Sequence, residues 1–254
     1  MHAIVLAGQP NRGLLKASYP TPYEAEIPIG GRPMAWWVLD ALFDAPSITS
    51  VGLVGPASLE RPGVTLTPAG EDLFSNVLRG LDTAPQDAGT VLFVTSDIPW
   101  LTKEVVEAFI EMAPEGVDVV YPIIPKEVAK SRFPSTKRTY VRLKEGVFTG
   151  GNLFLARTEV MPRLKERADV LLRHRKSPWA LARDIGPGLL IRLVLGRLAI
   201  RQAEVRVGGL LGISGRALIF PFAEAGVDID KAEDLMLAER ELNFDPGEQG
   251  WDIS

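Results

Sequence analysis

Short apolar runs alternate with helix-period segments through the first half of the chain, and that alternation restricts it to an α/β sheet. Ala3–Leu6 is an apolar run closed by Gly8, the pattern of a buried parallel strand. Pro33–Phe43 has helical spacing, with proline at its tolerated place at the start. Val51–Val54 and Val64–Leu66 read as strands, Leu73–Leu81 as a helix and Thr90–Thr95 as a strong strand. Thr102–Met112 is a helix capped by Thr102, and Asp118–Ile124 another strand. The pattern predicts one three-layer α/β/α domain over 1–254 with a central, mostly parallel sheet. Ligands of such sheets bind outside the carboxyl ends of the strands.

The order loosens near residue 125. Pro125–Arg142 is polar and basic, through Lys126, Lys130, Arg132, Lys137 and Arg138. Such a run serves as an anion clamp or simply as a solvated face. Tyr140–Leu143 and Val147–Phe148 form a hairpin pattern around Glu145-Gly146. Asn152–Ala156, Glu204–Val207 and Ala217–Phe220 read as strands, Val160–Ala168 and Lys231–Leu242 as helices. Gly188–Ile200 is apolar with Arg192 and Arg197, and three readings stay open: a membrane-surface helix, a core helix, or a contact between copies of the chain, as in a homodimer.

Composition narrows the chemistry. A net charge of −4 argues against a general nucleic-acid binder. The absence of cysteine excludes disulfides, thiolate metal sites and cysteine nucleophiles. Only His2 and His174 offer imidazole, so a metal here is held mainly by oxygen, which favours Mg²⁺, Mn²⁺ or Ca²⁺. With no signal-type segment and no apolar run of membrane-spanning length, a cytoplasmic location is expected.

The candidate residues sit at strand ends. Gly8 brings backbone N–H groups close to an anion, because no Cβ blocks the approach, and Arg12 adds a planar fork of donors. Asp97 ends the strong strand at the ligand rim; its plainer use is to cap a turn. Asp228 and Asp230, two apart, face one side in an extended segment, while Asp230 with Glu233 also fits a capping box. Gly151 and Asn152 offer close backbone approach and a mixed donor–acceptor, or an ordinary turn. Gly70, Ser75 and Asn76 form a polar helix start that faces a base or merely caps the helix.

In order, these pieces resemble the nucleotidyltransferases of sugar-nucleotide type, most closely the branch of molybdenum-cofactor guanylyltransferase. The resemblance rests on Leu6-Ala7-Gly8, Arg12, Pro28-Ile-Gly-Gly-Arg-Pro-Met34, Gly70 to Ser75, Asp97-Ile-Pro99 and Asp230-Lys-Ala-Glu-Asp-Leu235. It implies a Rossmann-like fold of the nucleotide-diphospho-sugar transferase type. A nucleotide half covers about 1–124 and an acceptor half about 125–254. The implied reaction transfers a nucleoside monophosphate from a nucleoside triphosphate to a small phosphorylated acceptor, with release of pyrophosphate. Arg12 and Lys16 would hold the triphosphate. Asp97 and Asp230, with Asp228 as a lesser candidate, would hold Mg²⁺ or Mn²⁺. Leu6, Ala7, Gly8, Gly70, Ser75 and Asn76 would line the nucleotide, Gly151 and Asn152 the acceptor. Two departures stand out: Gln9-Pro10-Asn11 lacks the family's glycines, and Glu24 occupies the usual lysine position. A nucleotide-sugar-consuming glycosyltransferase and a non-catalytic nucleotide binder are the alternatives. The acceptor stays open among sugar phosphate, pterin, alcohol phosphate and lipid precursor.

Overall fold

In a computed structural model, which describes residues 1–12, 14–164 and 186–242, the predicted alternation becomes a mixed sheet flanked by helices. The first half supplies β1 (His2–Leu6), β2 (Pro28–Ile29), β3 (Arg32–Pro33), α1 (Met34–Phe43), β4 (Ser50–Val54) and β5 (Val64–Thr67). It continues with α2 (Leu73–Leu81), β6 (Thr90–Thr95), α3 (Lys103–Met112) and β7 (Val119–Pro125). The second half supplies α4 (Lys126–Arg132), β8 (Val141–Leu143), β9 (Gly146–Gly150), β10 (Leu153–Arg157), α5 (Pro187–Val194), α6 (Ile200–Leu211), β11 (Gly215–Ile219) and α7 (Ala232–Glu241).

β1 lies between β4 and β6, parallel to both, and β5 extends the parallel set beyond β4. β10 runs antiparallel between β6 and β7, β9 antiparallel to β7, and β11 parallel to β7. All strands of this sheet except β9 and β10 therefore point one way, which is the mostly parallel sheet the sequence predicts. Alternation along β1 divides the core. Ala3 and Val5 pack with Leu39 and Leu42 of α1 and Phe109 of α3 on one face. Ile4 and Leu6 pack with Val77 of α2 and Phe93 on the other. A third cluster, with Ile29, Trp100, Phe133, Ile229 and Leu235, closes the end of the sheet where the candidate residues lie.

Between β9 and β10 the register slips. Ile123 pairs with Gly150, yet Val120 pairs with Leu155. Two residues of β7 thus face four on the other strand, and Gly151-Asn152 forms a bulge opposite Pro122. Proline has no N–H to offer a ladder, so a bulge fits that point. A Cβ on Gly151 would lie 2.7 Å from Pro122 Cγ, so only glycine fits.

Two sequence readings need correction. Glu204–Val207, read as a strand, lies inside α6. Glu204 turns inward there, and its carboxylate accepts from Ala217 N–H at 2.9 Å and Arg216 at 3.2 Å, which fastens α6 to β11. Gly188–Ile200 is not one helix: α5 ends at Val194, Gly196 takes φ +62°, and α6 starts at Ile200. The basic run also holds α4, a helix its charge pattern does not announce. The predicted helix Val160–Ala168 lies beyond residue 164 outside the described residues, as does His174.

Candidate functional site

Two polar clefts meet at the carboxyl ends of β1 and β6. The first is lined by Leu6, Gly8, Gln9, Pro10, Glu24, the start of α2, Thr95, Asp97, Asp228 and Asp230. The second is lined by Lys137, Arg138, Gly151, Asn152, Asp228, Asp230 and Lys231, so the two aspartates form the wall between them.

The first cleft is built from β1, β6 and α2. Ala7 N–H donates to the Val54 carbonyl at 2.8 Å, carrying the β1 path one residue past its end. The chain then passes so close to α2 that a Cβ on Gly8 would lie 2.7 Å from both Ala69 Cβ and Asn76 Nδ2. Asn76, buried on the inner face of α2, accepts from Gly70 N–H at 2.6 Å. Asn76 thus sets the spacing between the loop after β1 and the helix start. Gly70 and Ser75 are not in the cleft wall. Ser75 instead serves the cap of α2: its N–H donates to Asp72 Oδ1 at 2.7 Å, and its Oγ accepts from Asp72 N–H at 2.9 Å.

The loop after Gly8 folds on itself rather than opening as a glycine-rich cradle. Asn11 is buried; its N–H donates to the Pro22 carbonyl and its side-chain amide to the Tyr19 carbonyl at 2.7 Å. Glu24 N–H donates to the Gln9 carbonyl at 3.1 Å, which brings Glu24 to the cleft. Arg12 and Lys16 ride on this loop, exposed and outside both cleft walls.

Asp97 and Asp230 converge because the backbone joins them. Ile229 N–H donates to the Asp97 carbonyl at 2.9 Å, holding the 228–230 segment against the end of β6. Burial pushes the Asp97 carboxyl above the usual carboxylate range, and the charge of Asp230 adds to this; the Thr95 hydroxyl, donating to Asp97 Oδ1, works the other way. Glu24 is pushed up to about 7, by burial first and then by Asp97 and Asp230. Three carboxylates therefore repel one another across one cleft. That excess negative charge, on an oxygen-only donor set, fits Mg²⁺ or Mn²⁺, which take one or two carboxylates and complete their shells with water and substrate phosphates. Among the described residues, no group of three or more His, Asp or Glu is placed to hold a metal ion by itself.

Asp228 has another task. Arg138, with its side chain 6% exposed, donates to the Asp228 carboxylate and to the Asp228 carbonyl, and approaches Asp234 at 3.8 Å. Nothing in the spacing of the basic run singles out Arg138 from its neighbours. Lys130 donates to the carbonyls of Pro134 and Thr136, and Arg132 pairs with Glu224 and Glu241. Lys137 and Arg138 are the cations of that run that reach the cleft, and Lys231 joins them from the start of α7. The bulge presents its residues there too: Asn152 N–H donates to the Ala225 carbonyl at 2.8 Å and its carbonyl accepts from Thr95 N–H.

Comparison with known proteins places the fold and the family. No curated protein matches the sequence. A hypothetical transferase structure from Thermus thermophilus is 41% identical, with a TM-score of 0.81, over 92% of this chain and 98% of that one. CMP:2-keto-3-deoxy-manno-octonic acid synthetase complexed with CTP, 13% identical, has a TM-score of 0.62 over 95% and 98%. A 2-C-methyl-D-erythritol 4-phosphate cytidylyltransferase, also from Thermus thermophilus and 17% identical, has a TM-score of 0.54 over 95% and 98%. The last two share the fold. Residues 3–182 match the MobA-like NTP transferase domain, so the chain belongs to that family of nucleotidyltransferases.

Proposed function

We propose that the chain transfers a nucleoside monophosphate from a nucleoside triphosphate to a phosphorylated small molecule, with a divalent cation at Asp97 and Asp230. The observation that carries this reading is the bond from Ile229 N–H to the Asp97 carbonyl, which sets the two carboxylates together where the two clefts meet. The first half of the chain, about 1–124, forms the nucleotide side, and the rest the acceptor side.

The acceptor phosphate attacks the α-phosphorus of the triphosphate, and pyrophosphate leaves with the electron pair of the broken P–O bond. Neither substrate requires a covalent bond to the protein, so the chain's work is positioning and charge balance. The β1–α2 junction, through Leu6, Ala7, Gly8 and Asn76, receives the nucleotide. Arg12 and Lys16, carried on the loop that begins at the cleft wall, meet the outer phosphates. Lys137 and Lys231 draw the acceptor phosphate toward Gly151 and Asn152, beside Arg138, which stays paired with Asp228. A bound Mg²⁺ would supply neutralisation of phosphate charge; Asp97 and Asp230 would hold it, with Asp228 positioned by Arg138 beside them.

Pyrophosphate release tests the reading. Incubation with triphosphate, Mg²⁺ and a phosphorylated acceptor should release pyrophosphate and not nucleoside diphosphate, which a glycosyltransferase would release from a nucleotide sugar. Asp97→Asn should lower turnover about a hundredfold or more, without lowering the melting temperature, since it removes one of the repelling carboxylates. Full turnover in Asp97→Asn would remove the metal assignment.

A further inference from the structure

Beside the acceptor cleft lies a second space of different character. The face of β7 that carries Tyr121 and Ile123 does not pack closely on α6; a cavity of about 530 Å³ separates them. Ile123, Leu143 and Phe148 line its floor, and Leu198, Ala203 and Val207 its roof. Its charged wall residues, Glu204 and Arg216, satisfy each other at 3.2 Å. The space opens to solvent, for Tyr121, Val141 and Val207 at its edge are exposed, and its apolar walls suit an apolar ligand rather than water. The volume lies within the roughly 300–1,000 Å³ of small-molecule sites.

Two observations identify the occupant. The cavity adjoins the acceptor cleft, with Tyr121, Thr149 and Gly150 as the wall they share. A molecule lying over the partly exposed Tyr121 ring would reach from a phosphate among Lys137, Arg138 and Lys231 to an apolar tail in the cavity. Next to the roof, α5 and α6 expose Ile191, Val194, Leu195 and Val205, all more than half exposed. Arg192 and Arg201 border a groove that includes Val205, and Arg197 lies between the two helices. Exposed apolar residues interleaved with arginine suit an anionic membrane surface, where an aliphatic phosphate resides.

We propose that the acceptor is a phosphomonoester of a long aliphatic lipid, its headgroup in the Lys137–Arg138–Lys231 cleft and its chain in the cavity under α6. This rests on the transferase reading above. The lipid phosphate oxygen bonds to the α-phosphorus, the bond from that phosphorus to the bridging oxygen breaks, and pyrophosphate carries the electron pair away. The product is a nucleoside diphosphate-linked lipid.

Calorimetric titration of the full chain with ethyl phosphate and with decyl phosphate, kept below its micelle concentration, tests this. Each buried methylene strengthens binding about fourfold, so decyl phosphate should bind at least about a hundredfold tighter. Ala203→Trp, which fills the cavity, should reduce decyl phosphate to the level of ethyl phosphate while stabilisation by nucleoside triphosphate persists. Val207→Trp gives the same test should Ala203→Trp melt early. Equal affinity for both phosphates, or a chain-length gain that survives both tryptophans, overturns the lipid acceptor alone if triphosphate still stabilises the protein. Failure of the unmodified chain to bind triphosphate would instead overturn the transferase reading on which the acceptor role depends.

Discussion

At the scale of single residues, Glu24 carries the most unusual chemistry. The resemblance implies a lysine at its place, a departure legible in the sequence. Its surroundings are not, because they depend on Gln9 and Ile229 drawing distant segments together. With a folded pKa of about 7 against an ordinary 4.5, Glu24 holds its proton in the folded state where the unfolded chain has lost it. Between those values the folded state binds more protons, so stability falls as pH rises from about 4.5 to about 7. Glu24→Gln should therefore raise the melting temperature at pH 8 and leave it nearly unchanged at pH 4, in metal-free buffer. Thermal unfolding at both pH values checks this; an equal effect at each would show that Glu24 feels no such repulsion. Asp97 could be picked from sequence as the polar end of an apolar strand. Arg138 could not, since a basic run gives no sign of which member is buried.

At the scale of elements, strands and helices with strong periodicity matched their predicted positions, as α2 and β6 did to the residue. The failure at α6 has a local cause. Val205-Arg-Val207 alternates like a strand, and Gly208-Gly209 reads as a break. Yet Ile200, Ala203, Val207 and Leu211 follow the helical period. A Cβ at Gly208 would lie 2.6 Å from the Ile213 carbonyl oxygen, so this glycine permits close packing rather than ending the helix. The bulge at Gly151-Asn152 was equally invisible in its consequence, since two glycines in a row mark a turn as readily as a register slip. The segment 228–234 depends on Arg138, which binds Asp228 and faces Asp234, whose carboxyl burial pushes up and Arg138 pulls back. Arg138→Ala removes the guanidinium from Asp228 and Asp234, one of them partly exposed, and should cost about 2–4 kcal/mol. Denaturant unfolding measures it, and a loss below about 1 kcal/mol, the worth of an exposed pair, would mean that the clasp adds little.

At the scale of the whole molecule, the sheet gathers chemistry at one end. The carboxyl ends of β1 and β6 carry Gly8 and Asp97, and the Asp228–Asp230 segment is brought back to them from the far end of the described chain. The order of strands and helices announces this kind of fold, because a parallel sheet opens its loops on one side. The joining of first and second halves does not show in sequence, since it rests on backbone bonds such as Asn152 to Ala225 and Ile229 to Asp97. Among the described residues no helix is long and apolar enough to cross a membrane.

Thermal stabilisation by each common nucleoside triphosphate, with and without Mg²⁺, in the natural chain and in Asp97→Asn, decides whether the first cleft is a metal-dependent triphosphate site. A ligand at a hundred times its Kd adds about 2.7 kcal/mol, or about 5–10 °C for a chain of this size. A shift of that order is expected for at least one nucleotide, dependent on Mg²⁺ and lost in Asp97→Asn. No shift with any nucleotide, or a shift indifferent to both Mg²⁺ and Asp97, would contradict the assignment.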